Sequence, residues 1–214
     1  MDLSVLYNLS YGLYVLGAFK DGRAVGCVIN TCFQVTSENP SVVISLNKKN
    51  YTLEAIQENK RFSLSILAED SDPMVIGRFG FTSSRDTDKY EPFGYEVIGF
   101  TPCVKGKFAG RLILDAVKTL DCGTHILVVA SVVDTVSGSG TPMTYSYYHN
   151  VIKGKAPKTA PTYRADEADT VKESKHHFEC DICHYIAETD AEELPADYVC
   201  PVCGADVSHF KKLD

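Results

Sequence analysis

Phe178-Glu179-Cys180-Asp181-Ile182-Cys183 and Leu194-Pro195-Ala196-Asp197-Tyr198-Val199-Cys200-Pro201-Val202-Cys203-Gly204 decide how the end of this chain folds. Two Cys-x-x-Cys knuckles, with 16 residues between Cys183 and Cys200, place four thiolates around one tetrahedral ion. Tetrahedral sulfur sites suit both zinc and iron, so spacing alone leaves the metal open. Phe178, Tyr185, Tyr198 and Phe210 supply aromatic cover around the knuckles. Residues 176–214 are too few to bury an adequate core by themselves. A structural four-thiolate metal contributes about 10–16 kcal/mol of apparent binding energy, which becomes folding energy. The metal is therefore expected to decide whether this module folds.

Upstream, residues 156–175 read as a linker, with Pro157, Pro161 and the polar run Arg164-Ala165-Asp166-Glu167-Ala168-Asp169 lacking apolar period. Residues 1–155 read mostly as strands. Leu13 to Phe19 and Ala24 to Thr31 flank the turn Lys20-Asp21-Gly22-Arg23, and Val42 to Leu46 follows another turn. Phe62-Ser63-Leu64-Ser65-Ile66 alternates at period two; Leu112 to Leu120 and Ile126 to Thr135 complete the set. One helix is expected from Asn50 or Thr52 to about Glu58, and another from Ser71-Asp72-Pro73, where Pro suits the first turn. Gly138-Ser139-Gly140 reads as a hairpin loop rather than a dinucleotide-binding loop, because no helix pattern follows it. Many strands and few helices predict a mainly β, barrel-like fold.

Charge is unevenly spread. Residues 1–177 hold 19 basic and 19 acidic side chains, so the formal charge of −7 resides entirely in residues 178–214, with nine acids and two lysines. Such a tail repels nucleic acid and anionic membranes and suits a basic redox partner. No signal peptide or membrane span is evident near the N-terminus, and a cytoplasmic location is the expectation. Cys27, Cys103 and Cys122 have no ligand-like spacing and read as buried apolar residues.

Three segments of the larger part hold candidate chemistry: Asn30-Thr31-Cys32, Ser45-Leu46-Asn47-Lys48-Lys49-Asn50-Tyr51-Thr52, and Gly80 to Tyr90. The second runs from a strand end into a helix start, where unpaired N–H groups and the helix dipole attract a phosphate. Lys48, Asn50, Thr52 and Lys89 can add donors to such an anion. The plainer alternative is that Asn50 or Thr52 only caps the helix while the lysines are solvated.

The order of these segments, followed by Gly123-Thr124-His125 and Tyr145-Ser146-Tyr147-Tyr148-His149, resembles the flavin-reductase-like family with its FMN-binding split barrel. The run Leu194 to Gly204 is similar to rubredoxin, the one-iron electron-transfer module. Together they resemble the high-molecular-weight rubredoxins. The resemblance implies FMN and one iron, with Cys180, Cys183, Cys200 and Cys203 as metal ligands. It implies that Asn30, Thr31, Cys32, Ser45, Leu46 and Asn47 border the flavin ring. Lys48, Asn50, Thr52 and Lys89 take its phosphate side, and His125 lies beside it. It also implies a homodimer, electrons passed on to a flavodiiron protein that reduces oxygen or nitric oxide, and an NAD(P)H-dependent rubredoxin reductase as donor. Two departures stand out: His184 follows Cys183 where rubredoxins carry Gly, and the loop between the knuckles is short. Two other readings remain open, an NAD(P)H-dependent flavin or rubredoxin reductase and a flavin domain with a zinc ribbon.

Overall fold

The computed structural model describes residues 4–152, 160–162, 176–183 and 185–213; His184 and most of the expected linker lie outside them. The larger part is built on β1 (Tyr14–Lys20), β2 (Arg23–Ile29), β3 (Cys32–Thr36), β4 (Ser41–Asn47), β5 (Arg61–Leu67), β8 (Phe108–Asp121) and β9 (His125–Ser137). These form one seven-stranded antiparallel sheet in the order β2-β1-β5-β8-β9-β4-β3. A separate hairpin joins β6 (Tyr95–Ile98) to β7 (Thr101–Val104). Helices α1 (Tyr51–Asn59), α2 (Pro73–Phe81) and α3 (Tyr145–Asn150) pack around the sheet. The chain ends in β10 (His176–Cys180), β11 (Ile186–Thr189) and β12 (Phe210–Lys212), a three-stranded sheet ordered β11-β10-β12.

Local chemistry explains the elements. Asp21 and Gly22 both take positive φ, 52° and 74°, the requirement of the tight turn joining β1 to β2. Asn50 caps α1, its side-chain oxygen accepting the Thr52 N–H at 2.9 Å. Asp72 caps α2 in the same way through Met74 N–H at 2.9 Å, with Pro73 in the first turn. Side chains alternate across β1: Val15 enters one core and Leu16 and Ala18 the other, so the strand is covered on both faces. The second of these cores, centred on Phe62, Leu64, Ile44 and Ile56, lies between the sheet and α1. Each large apolar side chain fully buried there contributes about 1.5–3 kcal/mol.

Two expectations need correction. Cys122 is exposed, because it lies at the β8–β9 turn rather than in a strand interior. Gly138-Ser139-Gly140 is not a hairpin loop. It runs out of β9 along the start of β8, with Ser139 N–H donating to the Phe108 carbonyl at 2.9 Å. A Cβ at Gly138 would lie 2.0 Å from that carbonyl oxygen, so glycine is required by close backbone approach.

Strands β8 and β9 are long and carry register shifts at Ile113/Leu114 and Ala116/Lys118. Val133 and Val117 sit at the shifts and are exposed, as is Leu120 near the end of β8, and the edge strand β3 exposes Phe33 and Val35. Among the described residues, no helix is long and apolar enough to cross a membrane.

Candidate functional site

The four C-terminal cysteines come together. Cys180 Sγ lies 3.6 Å from Cys203 Sγ and Cys183 Sγ lies 3.5 Å from Cys200 Sγ, with all four sulfurs within 4.8 Å of one another. A tetrahedral ion with bonds of about 2.3 Å to sulfur separates its ligands by about 3.8 Å, so this cage fits one four-thiolate metal. All four side chains are buried. The backbone sustains the cage: Cys180 N–H donates to Tyr185 O at 2.9 Å, Cys200 N–H to Ala205 O at 2.7 Å, and Gly204 N–H to Cys200 O at 2.9 Å. Gly204 makes the turn at φ 72°, which a side chain would strain.

The thiols share their protons: hydrogen bonds from the Cys183 and Cys203 thiols, and from the Cys203 and Val202 N–H groups, hold Cys200 below the usual thiol range, while Cys183, hydrogen-bonded to Cys200, is pushed above it. Tyr185 and Ala205 aim further N–H groups at Cys183 and Cys203. Donors directed at metal-bound sulfur stabilise the added negative charge of a reduced centre, which raises its potential.

The aromatic cover expected from sequence is present: Phe178 is buried, and Tyr198 meets Phe210 edge to face at 5.3 Å. The sequence did not show what covers the other side. Val75, Ile76 and Phe79 of α2 and Tyr145 and Tyr148 of α3 share one core with the four cysteines. A Cβ at Gly77 would stand 2.4 Å from Cys203 Cβ, and one at Gly204 would stand 2.8 Å from Met74 Cγ. Burial, and then the neighbouring Cys183 sulfur, pushes the Tyr148 hydroxyl well above the usual phenol range. No spacing rule relates residues 74–77 or 148 to a cysteine module a linker away.

The flavin-side candidates collect at one end of the large sheet, around the end of β4. Cys32 pairs in register with Ile44, and Asn47 with His125, which places Asn30-Thr31-Cys32, Ser45-Leu46-Asn47 and His125 on adjacent strands. Thr31 donates to Asn30 Oδ1 at 3.0 Å, and Asn30 Nδ2 donates to Thr162 Oγ1. Cys32 is half-buried, and burial pushes its thiol up to about 12, so it is a neutral donor near neutral pH and not a thiolate. Ser45 and Leu46 are buried in the strand. His125 Nδ1 lies 2.8 Å from Thr124 Oγ1.

The four phosphate-side candidates divide. Lys48 Nζ lies 2.7 Å from Asp121 Oδ2 at the surface. Asn50, Thr52 and Lys89 instead surround Cys27: Thr52 and Asn50 share hydrogen bonds with its thiol, and the Lys89 charge acts on it. Lys89 is 3% exposed and donates to Gly26 O at 2.9 Å and Phe79 O at 3.0 Å. Desolvation lowers its ammonium to about 8, an uncommon position for a lysine. Buried cation, helix N-terminus and hydroxyl donors together form a pole that suits an anion. Cys27 was expected only as core; its place between these groups is visible from the fold alone.

Comparison with known proteins gives the family. The flavin reductase like domain family matches residues 6–156. A high molecular weight rubredoxin from Moorella thermoacetica is 37% identical over 229 aligned positions, covering 100% of both chains. An NAD(P)H-dependent ferric-chelate reductase from Archaeoglobus fulgidus is 37% identical over 166 positions, covering 76% of this chain and 98% of its own. Among solved structures, flavoredoxin from Methanosarcina acetivorans superposes with a TM-score of 0.55 at 25% identity, over 62% of this chain and 74% of its own.

Proposed function

The chain belongs to the flavin reductase like family and, along its whole length, to the high-molecular-weight rubredoxins; from that premise we propose that it relays electrons between FMN and a single iron held by four cysteines. The observation that carries this reading is the buried four-sulfur cage packed against a flavin-reductase-like domain of the same chain. FMN exchanges one or two electrons and a four-thiolate iron exchanges one, so together they convert pairs into single electrons.

The residues divide the work. The α1 N-terminus, Asn50, Thr52 and Lys89 hold the cofactor phosphate, with Lys48 at the rim. Asn30, Thr31, Cys32, Ser45, Leu46 and Asn47 border the ring, Cys32 as a neutral donor, and His125 lies beside it. Cys180, Cys183, Cys200 and Cys203 hold the iron. Residues 156–175 act as the tether between the two parts, which raises the effective concentration of one centre near the other.

The apolar face of Phe33, Val35, Val117, Leu120 and Val133 adjoins the flavin end of the sheet and buries against a second copy, giving a homodimer. Electrons leave for a flavodiiron protein, guided by the acidic tail, and arrive from an NAD(P)H-dependent rubredoxin reductase. A second reading, in which the chain itself oxidises NAD(P)H, is favoured by the similarity of its larger part to a ferric-chelate reductase.

The visible spectrum of the purified protein, before and after anaerobic NADH, tests both. Ferric–thiolate bands beneath flavin bands support the relay, and flavin bands without iron colour overturn it. Prompt bleaching by NADH alone supports the second reading, whereas bleaching only with added reductase supports a pure carrier.

A further inference from the structure

The contact between the four-sulfur cage and α2 and α3 is a fitted seat. Gly77 is a glycine in the interior of a helix, where alanine is the better helix former. Its position is explained by what it faces: the Cys203 Cβ occupies the space a Gly77 side chain would need, at 2.4 Å. Next to it, Met74 closes on Gly204, where a side chain would stand 2.8 Å from Met74 Cγ. Ile182 also reaches this position, where its Cγ2 would stand 3.7 Å from a Gly77 Cβ. Tyr148 of α3 is buried in the same core as the four cysteines. Both knuckles are therefore engaged, Cys180–Cys183 through Ile182 and Cys200–Cys203 through Cys203 and Gly204.

The inner side of the same helix faces the anion pole. Phe79 of α2 gives its carbonyl to Lys89 Nζ, whose other partner is the Gly26 carbonyl next to Cys27. One helix thus touches the metal cage on one side and the Lys89 pole on the other.

We propose that the metal module works from two positions, and that Gly77 sets the balance between them. Seated on α2 and α3 of its own protomer, the cage is shielded and electronically adjacent to the flavin domain; lifted from the seat, the Cys203–Gly204 edge is open to a protein partner. The exchange in the seated position is a single electron from flavin to ferric iron, which oxidises one and reduces the other with no bond made or broken. In the seated position a partner protein cannot approach the cage edge that Met74, Gly77 and Tyr148 cover. The electronic part of this inference rests on the relay reading, whereas the seat itself does not.

Gly77→Ala in the full-length, metal-loaded protein tests it. The added methyl improves α2 as a helix and leaves no room for Cys203, so the large domain stays folded while the module is displaced. Expected are a tenfold or greater rise in the rate of metal loss to a strong chelator, and faster hydrogen exchange in residues 145–150. Flavin-to-iron transfer in stopped flow slows at least tenfold, and oxidation of the reduced iron by a protein-sized one-electron acceptor quickens. Met74→Glu is the second variant: a carboxylate suits the first turn of a helix but repels the negative cage. Wild-type rates of metal loss and exchange in both variants would overturn the seat. Faster metal loss with unchanged internal transfer would overturn its role as the electron port. A protein without iron colour would overturn the relay and leave the metal-loss result standing.

Discussion

Replacing Lys89 by methionine separates two large opposing effects. The wild-type ammonium is 3% exposed and its pKa falls from the ordinary 10.5 to about 8, so keeping it charged costs the folded protein about 3 kcal/mol at neutral pH. Removing it relieves that cost but takes a donor from the Phe79 carbonyl and from the Gly26 carbonyl, which keeps Ser84 Oγ at 3.0 Å; a buried carbonyl left without a partner loses about 1–3 kcal/mol. Lys89→Met is therefore expected to lose no more than about 3 kcal/mol at pH 7. The pH dependence is the sharper signature. Between pH 8 and 10.5 the unfolded chain binds more protons at this site than the folded one, so wild-type stability rises with pH across that window. The variant lacks the group and gains nothing, so its deficit against wild type grows by roughly 2–3 kcal/mol from pH 7 to pH 10. Urea titrations of both proteins at the two pH values measure the gap. A gap that stays constant, or shrinks, refutes the account of Lys89 as a buried, desolvated ammonium. FMN affinity, measured on the same samples by fluorescence quenching, falls in the variant if this cation holds the phosphate.

Three other outcomes are expected. Stripping the metal, or changing Cys200 to Ser, unfolds residues 176–213 and leaves the seven-stranded sheet intact; hydrogen exchange resolves the two, and a protected β10 without metal would contradict it. Asn50→Ala removes the α1 cap at a cost of about 1 kcal/mol in thermal unfolding and weakens FMN binding in titration. Val117→Lys places a charge on an exposed apolar strand; the folded stability changes by less than about 0.5 kcal/mol, while sedimentation shows a shift from dimer to monomer.

Much of the layout is legible in local sequence because it depends on local chemistry. The Asp21-Gly22 turn, the Asn50 and Asp72 caps and the period-two run at Phe62 each encode their element within a few residues. The four metal ligands are legible for the same reason, since the knuckle spacing is itself the signal. Other features depend on distant partners. Strand β3 is short and its side chains are mostly exposed, so it has no inward apolar face to betray it. The β6–β7 hairpin turns on Gly99 and Phe100 with φ of 55° and 67°, and an exposed Phe at such a position is outside the usual turn code. Lys89 is legible as a candidate anion donor, but not its burial, which depends on the two distant carbonyls that the fold brings to it. Gly77 reads as a weak point in a helix until Cys203 is placed against it.

The order of strands in the large sheet has a consequence for how the protein is made. Val43 on β4 has only β3 as an early neighbour and waits for Val129 on β9, while β1 waits for β5. Pairings this distant along the chain carry a high loop-closure cost, so the sheet is expected to assemble slowly and only after β9 has left the ribosome. The cysteines emerge later still, behind α2 and α3. Synthesis therefore delivers the thiols to a landing surface already in place, which shortens the interval in which four reactive sulfurs are free to oxidise or to capture the wrong ion.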